Sequence, residues 1–142
     1  MPHTYSSNHI HIIFSTKERM RTIPVHLQPS LWKYMAGISS NIGAGVIAVG
    51  GFDDHCHLGL IVPPKMDVSE IVQKVKANSS RWMNAGHVKK FQWQEGFGSF
   101  SISISHTPAL VRYINNQREH HKRVSFADEW TRILKKHGMN DE

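Results

Sequence analysis

The sequence predicts an α+β domain whose elements run strand–helix–strand–strand–helix–strand. Three observations carry that expectation. Short apolar runs of strand length recur four times, one of them strictly alternating. Two longer stretches repeat apolar residues at helical spacing and have suitable residues at their ends. A glycine–aspartate turn joins the second and third strands as a hairpin.

In chain order, His9 to Ser15 alternates histidine with isoleucine and reads as the first strand. Lys17-Glu18-Arg19-Met20-Arg21 follows as a short basic loop. Leu27, Leu31, Met35, Ile38 and Ile42 recur at helical spacing, so residues 28–42 form the first helix, with Pro29 and Ser30 at its start. Trp32 and Tyr34 lie off that stripe. Gly43-Ala44-Gly45 ends the helix, and Val46-Ile47-Ala48-Val49 is the second strand. Gly50-Gly51 and Asp53-Asp54 make the turn into the third strand, which Pro63-Pro64 stops. Val68, Ile71, Val72 and Val75 mark the second helix, opened by Asp67, Ser69 and Glu70 and closed near Gly86.

Residues 87–98 read as a loop that mixes lysines with Phe91, Trp93 and Phe97. Ser99 to Ser105 alternates serine with Phe100, Ile102 and Ile104, which should point inward from a fourth strand. Thr107-Pro108 opens a third helix as N-cap and first-turn proline. A last amphipathic segment runs from Phe126 to Leu134. The βαββαβ order is that of a ferredoxin-like sandwich, the architecture of RNA-recognition domains, with a C-terminal helix appended. Two helices should cover one face of its sheet and leave the other for a ligand or a second subunit.

Length and composition bound the function. At 142 residues the chain is expected to be one domain, 1–142, with its core over about 9–134. No apolar run approaches the roughly 20 residues of a membrane span. Met1-Pro2-His3-Thr4 lacks a signal-peptide core, and a single cysteine suits a reducing compartment, so a cytoplasmic location is expected. Lys and Arg outnumber Asp and Glu by 17 to 11, with 11 histidines besides; net charge is +6 and pI about 9.7. That balance favours a polyanionic partner, nucleic acid first.

Two stretches carry candidate chemistry. On the third strand His55 and His57 are two residues apart and project side by side, while Cys56 points to the other face. Imidazoles rooted roughly 7 Å apart can converge on one metal ion. On the third helix Tyr113 and Gln117 are one turn apart on one face, with His120 a turn further. His120 and His121 read by themselves as solvated helix residues.

The matching pieces are His9 to Lys17, Asp54-His55-Cys56-His57-Leu58, Lys76 to Arg81, Trp93 to Ser101 and Arg112 to His121. In this order and spacing the chain resembles the IS200/IS605-like single-tyrosine transposases, with their relatives at repetitive extragenic palindromes, within the HUH endonucleases. The resemblance implies His55, His57 and Gln117 as ligands of Mg²⁺ or Mn²⁺, and Tyr113 as the catalytic nucleophile. It implies cleavage and rejoining of single-stranded DNA at hairpin-flanked sites through a 5′-phosphotyrosine. Lys17, Arg19, Lys76 and Arg81 are the cations expected to contact that DNA. A homodimer is implied too, each site taking histidines from one subunit and tyrosine from the other.

The chain departs from the family's pattern in places. Cys56 stands where a branched aliphatic is usual and Phe97 where tyrosine is common, and the segment after the tyrosine helix is shorter than in many relatives. A non-catalytic nucleic-acid-binding module would explain charge and fold but not the Tyr113–Gln117 pairing with the histidines, whereas a domesticated transposase that only binds palindromes would satisfy both readings. A metal-dependent hydrolase using activated water would leave Tyr113 unexplained.

Overall fold

Chain alternation is realised in a four-stranded antiparallel sheet of order β2-β3-β1-β4. The structure is a computed structural model and describes residues 4–140. Met1–His3, most of the stretch read as lacking a leader core, and Asp141–Glu142 lie outside the described residues. The strands are β1 (His9–Ser15), β2 (Gly45–Gly51), β3 (His55–Ile61) and β4 (Gly98–Ile102). The helices are α1 (Gln28–Asn41), α2 (Val68–Asn84), α3 (Thr107–Asn115), α4 (Gln117–His120) and α5 (Phe126–Lys136). None of these helices is long and apolar enough to cross a membrane.

The alternation in β1 and β3 sorts the sheet into two faces. Ile10, Ile12 and Phe14 of β1 and Cys56, Leu58 and Leu60 of β3 are buried in one cluster with Leu31 and Met35 of α1 and Ile71, Val72 and Val75 of α2. Each such side chain contributes about 1.5–3 kcal/mol on burial, which makes this layer the main source of stability. Asp67 caps α2 by accepting a hydrogen bond from the Ser69 amide at 2.9 Å.

The opposite face carries His9, His11, Ile13, His55 and His57, and the pairings Ile13↔His57 and Ser15↔His55 place them in adjoining rows. That face is not left open, as the sequence reading expected. Leu110 and Ile114 of α3 pack on Ala48 of β2, and Phe126 and Leu134 of α5 pack on Ile13 and Phe100. Phe100 and Ile102 do point inward, but toward this second layer. Ile104 does not: it is 68% exposed. Strand β1 begins at His9, opposite Ile102, so beyond Ile102 there is nothing to pair with and the chain turns into a 3-10 segment, Ile104–His106.

Glycines on β2 and β3 let α3 approach the sheet closely. A Cβ at Gly50 would lie 2.5 Å from the Ile114 carbonyl oxygen, and one at Gly59 would lie 3.3 Å from Ile114 and Leu110 side-chain carbons. The first contact is with backbone and cannot relax by a rotamer change. Gly50→Ala should therefore lift α3 off the sheet and cost about 1–3 kcal/mol, the usual range for overpacking. Urea unfolding will measure the loss, and a midpoint equal to wild type would show that α3 does not rest on Gly50.

Candidate active site

His55 and His57 come to the second layer because β3 alternates. Tyr113 and Gln117 come to it because α3 lies across β2 and β3, and Ile114, between them, anchors that helix. The helix breaks for one residue at Asn116, yet the i,i+4 relation survives, with His121 one further turn along. The His55 and His57 side chains are fully buried, Gln117 is buried and Tyr113 half-buried.

These four residues, expected from the sequence, meet around a fifth that was not. The Glu129 carboxylate of α5 is 2% exposed and sits at the centre of the second layer. Its Oε1 lies 3.3 Å from both His55 Nε2 and His57 Nε2 and 3.1 Å from His121 Nε2. Its Oε2 accepts hydrogen bonds from the Gln117 amide, at 3.1 Å, and from the Tyr113 hydroxyl. Gln117 Oε1 lies 2.9 Å from His55 Nε2 and 2.8 Å from His121 Nε2. Tyr113 stands edge-on to His57 of its own chain, ring centroids 5.5 Å apart. Within one chain, then, the tyrosine reaches the histidines without a partner subunit.

His121 was read as solvated; its side chain is 3% exposed and belongs to the cluster. His120 lies at the rim, its buried Nε2 3.3 Å from Glu129 Oε2 but without a hydrogen-bond partner. Sequence signals for the missed residues exist. His121 follows Gln117 by four positions, and Glu129 falls between Phe126 and Ile133 on the apolar stripe of α5, where a carboxylate is out of place.

Outer partners hold the imidazoles. Asp54 Oδ1 accepts from His55 Nδ1 at 2.8 Å, which turns His55 Nε2 toward the cluster. His11 Nε2 lies 2.8 Å from His57 Nδ1 and does the same for His57. Phe126 stacks on His55 at 4.2 Å, and the Arg19 guanidinium lies over the Phe126 ring, 5.3 Å from its centroid.

The expected DNA-contacting cations stand elsewhere. Lys17 and Lys76 line a separate cavity of about 750 Å³ beside α2, and the Lys76 ammonium donates to the Gln94 and Gly96 carbonyls. Arg81 is exposed on α2, and Arg19 lies over the ring of Phe126.

Charge within the cluster is unevenly held. Burial opposes ionisation of Glu129, but hydrogen bonds from His121, His55 and His57 outweigh it and keep the carboxylate far below its usual range. Burial likewise opposes a charged His55, yet Asp54 and Glu129 raise its pKa to about 9. His57, lowered chiefly by burial, falls to about 4. Tyr113 is raised well above an ordinary phenol, first by burial and then by the Glu129 charge.

Could this cluster hold a metal? Nε2 of His55 and His121 and a Glu129 oxygen lie within 4.8 Å of one another. Gln117 Oε1 adds an oxygen donor, His57 approaches through Glu129, and the unpartnered His120 Nε2 points to the same place. The donors fit a divalent ion.

An antiparallel α+β sandwich with a buried His/Glu cluster that could hold a metal, beside a half-buried tyrosine, is the class that fold and site define. The chain belongs to the family described as IS200-like transposases, whose sequence pattern matches residues 4–117. A protein of Deinococcus radiodurans R1 assigned as a transposase shares the fold with a TM-score of 0.63 at 24% identity, covering 82% of this chain and 96% of that one. A REP-associated tyrosine transposase, solved bound to a REP hairpin, shares it with a TM-score of 0.63 at 14% identity, covering 87% of this chain and 74% of that one. No curated protein matches the sequence.

In the metal-free protein the shifts predict a two-sided pH dependence. His55, raised to about 9, adds stability that is fully present below pH 6.5 and lost as pH rises through 9. His57, lowered to about 4, adds stability present above pH 6.5 and lost as pH falls through 4. Stability in chelator should thus peak near neutrality, each limb spanning up to about 3 kcal/mol. His55→Asn should flatten the alkaline limb, as read by urea midpoints from pH 4 to 9.5; an unchanged alkaline slope would contradict the assignment.

Proposed function

We propose that this transposase-family protein is a metal-dependent endonuclease and strand transferase acting on single-stranded DNA, with Tyr113 as its nucleophile. The observation that carries this reading is the direct contact of the Tyr113 hydroxyl with the carboxylate at the centre of the histidine cluster. A non-catalytic binding module has no use for that contact. An activated-water hydrolase would leave the tyrosine idle.

Tyr113 Oη attacks the phosphorus, the bond to the 3′-oxygen breaks, and a 5′-phosphotyrosine and a 3′-hydroxyl result. Glu129 Oε2 accepts the phenol's hydrogen bond and orients its oxygen; the phenol proton leaves to solvent as the 3′-oxygen takes one up from solvent. Reversal lets the 3′-hydroxyl attack the adduct and Tyr113 regain its proton, so rejoining requires no external energy. His55, His57, His121, Gln117 and Glu129 Oε1 would hold the divalent cation. When bound it supplies a Lewis acid that polarises the phosphate and offsets the Glu129 charge that keeps Tyr113 neutral.

Nitrogen-rich donors favour Mn²⁺ over Mg²⁺ on ligand hardness, and these two are the proposed metals. Hairpin-bearing single strands are the proposed substrate, supported by family membership and by the hairpin bound to the structural neighbour. Because Tyr113 lies in its own chain's cluster, a homodimer would carry two complete sites rather than two shared ones. A single buried thiol and a nucleic-acid substrate fit a cytoplasmic setting.

Tyr113→Phe removes only the hydroxyl. It should fold and bind hairpin DNA as wild type does, while the denaturant-resistant protein–DNA adduct disappears from gels. Mixing it with His57→Ala should restore nothing, since neither chain then holds a whole site. Adduct formation by Tyr113→Phe, at any rate near wild type, would refute the tyrosine mechanism.

Metal uptake should displace the proton that His55 carries below pH 9. Affinity for Mn²⁺ should rise by up to about tenfold per pH unit between 7 and 9, and the melting temperature in Mn²⁺ should follow it. Calorimetry in buffers of different ionisation heat measures the released proton. Uptake without proton release, or a melting temperature indifferent to Mn²⁺, would remove His55 from the ligand set.

A further inference from the structure

One charged feature of the second layer is used neither by the metal cluster nor by the phenol. On α5, Glu129, Arg132 and Lys136 follow at i, i+3 and i+7 and therefore share a helix face. Glu129 is buried at the inner end of this row, while Arg132 and Lys136 are exposed further along it. All three line one cavity of about 600 Å³, together with Tyr113. Its far wall comes from Ser101 and Ser103 of β4 and the turn after it, and from His106. Glu129 is the one carboxylate of that lining, and it is already bound by the cluster.

Resting on the reading above, we propose that Arg132 and Lys136 form a phosphate track that seats the unpaired strand on the Tyr113 side of the centre. Four geometric and chemical facts support the assignment. Tyr113 lines the same cavity as the two cations. The two cations are one helical turn apart, roughly 6 Å along the axis. That exceeds the 3.4 Å rise per nucleotide of a stacked duplex strand and suits successive phosphates of an extended single strand. A neutral residue, Ser103 in the turn after β4, lines the same cavity.

Arg132 has the closer role. It lies near enough to Tyr113 to act on the phenol electrostatically, and a planar guanidinium can grip a phosphate through two parallel hydrogen bonds. Arg132 is thus a positioning residue for the phosphate next to the one attacked, and Lys136 a point charge for the following one. This α5 row lies wholly beyond the residues 4–117 matched by the family pattern.

Binding is measured with full-length protein in EDTA, carrying Tyr113→Phe to prevent cleavage, and a fluorescent hairpin DNA with an unpaired flank. Each phosphate contact to a single strand contributes about 0.7 to the slope of log affinity against log salt. Arg132→Gln/Lys136→Gln should reduce that slope by about 1.4 and weaken binding roughly ten- to thirtyfold near 0.1 M salt. Arg132→Lys/Lys136→Arg should restore the slope. Lys33→Gln/Lys65→Gln removes the same charge from surface outside the cavity and should leave it unchanged. The single variants, each about 0.7 shallower, decide the matter if the double variant does not fold.

A slope that is the same in the α5 variants and in wild type overturns the proposal, as does an equal loss in the Lys33/Lys65 control. The tyrosine reading is scored separately, by adduct formation in the Tyr113-containing protein. A shallower slope without any adduct keeps the strand seat and removes the chemistry. An adduct with an unchanged slope does the reverse.

Discussion

The second layer of this protein depends on one buried charge. Glu129 lies in a site where an isolated carboxylate would cost several kcal/mol, and it remains ionised because three imidazoles, an amide and a phenol surround it. Those partners come from β3, α3 and the α3–α5 connection, so the charge also ties α5 to the sheet. Apolar contacts in this layer are few beside those under α1 and α2. Its order therefore rests on polar satisfaction more than on area, and emptying one partner exposes every other to the cost of an unpaired group.

Such an arrangement is poised for exchange with a cation. The same atoms that accept or donate hydrogen bonds in the metal-free protein are the lone pairs and carboxylate oxygens that a divalent ion takes. His55 carries a proton that a metal would replace, and His57 is already neutral. Asp54 and His11, behind the two rings, fix their orientation in either state, since each binds the nitrogen facing away from the centre. Preorganisation of that kind is what a displacement at phosphorus requires, because the attacking oxygen must be held in line before charge develops.

Much of this was legible in the sequence, and the boundary has physical causes. Partial alternation at His9–Ser15 and the apolar run after the glycine–aspartate turn gave the strands, and a period of two gave the faces of His55 and His57. Helical spacing at Tyr113 and Gln117 likewise put them on one stripe. The covering of the second face was not legible, because closure by α3 and α5 depends on Gly50 and Gly59 admitting a helix backbone. Glu129 was missed for a related reason: its burial is set by tertiary partners fifty or more residues away in β3. Ile104 misled because alternation continued past the end of the neighbouring strand. The basic residues near α2 were assigned by charge alone, which carries no address.

Positions of the missed residues say something about how the site is assembled. The family's pattern ends at Gln117, after both histidines and the tyrosine, while His121, Glu129 and the cations of α5 follow it. The matched part alone would present Tyr113 at the rim of a half-covered sheet, with His55 and His57 open to water and Gln117 without its carboxylate partner. Folding α5 over Ile13 and Phe100 encloses that face and places an acid under the phenol. Enclosure lowers the local dielectric, and a metal, a phosphate and a phenol interact most strongly under that condition. The C-terminal helix is therefore not an appendage to a finished sandwich; it supplies the wall, the hydrogen-bond acceptor and the charge that the Tyr113 hydroxyl meets.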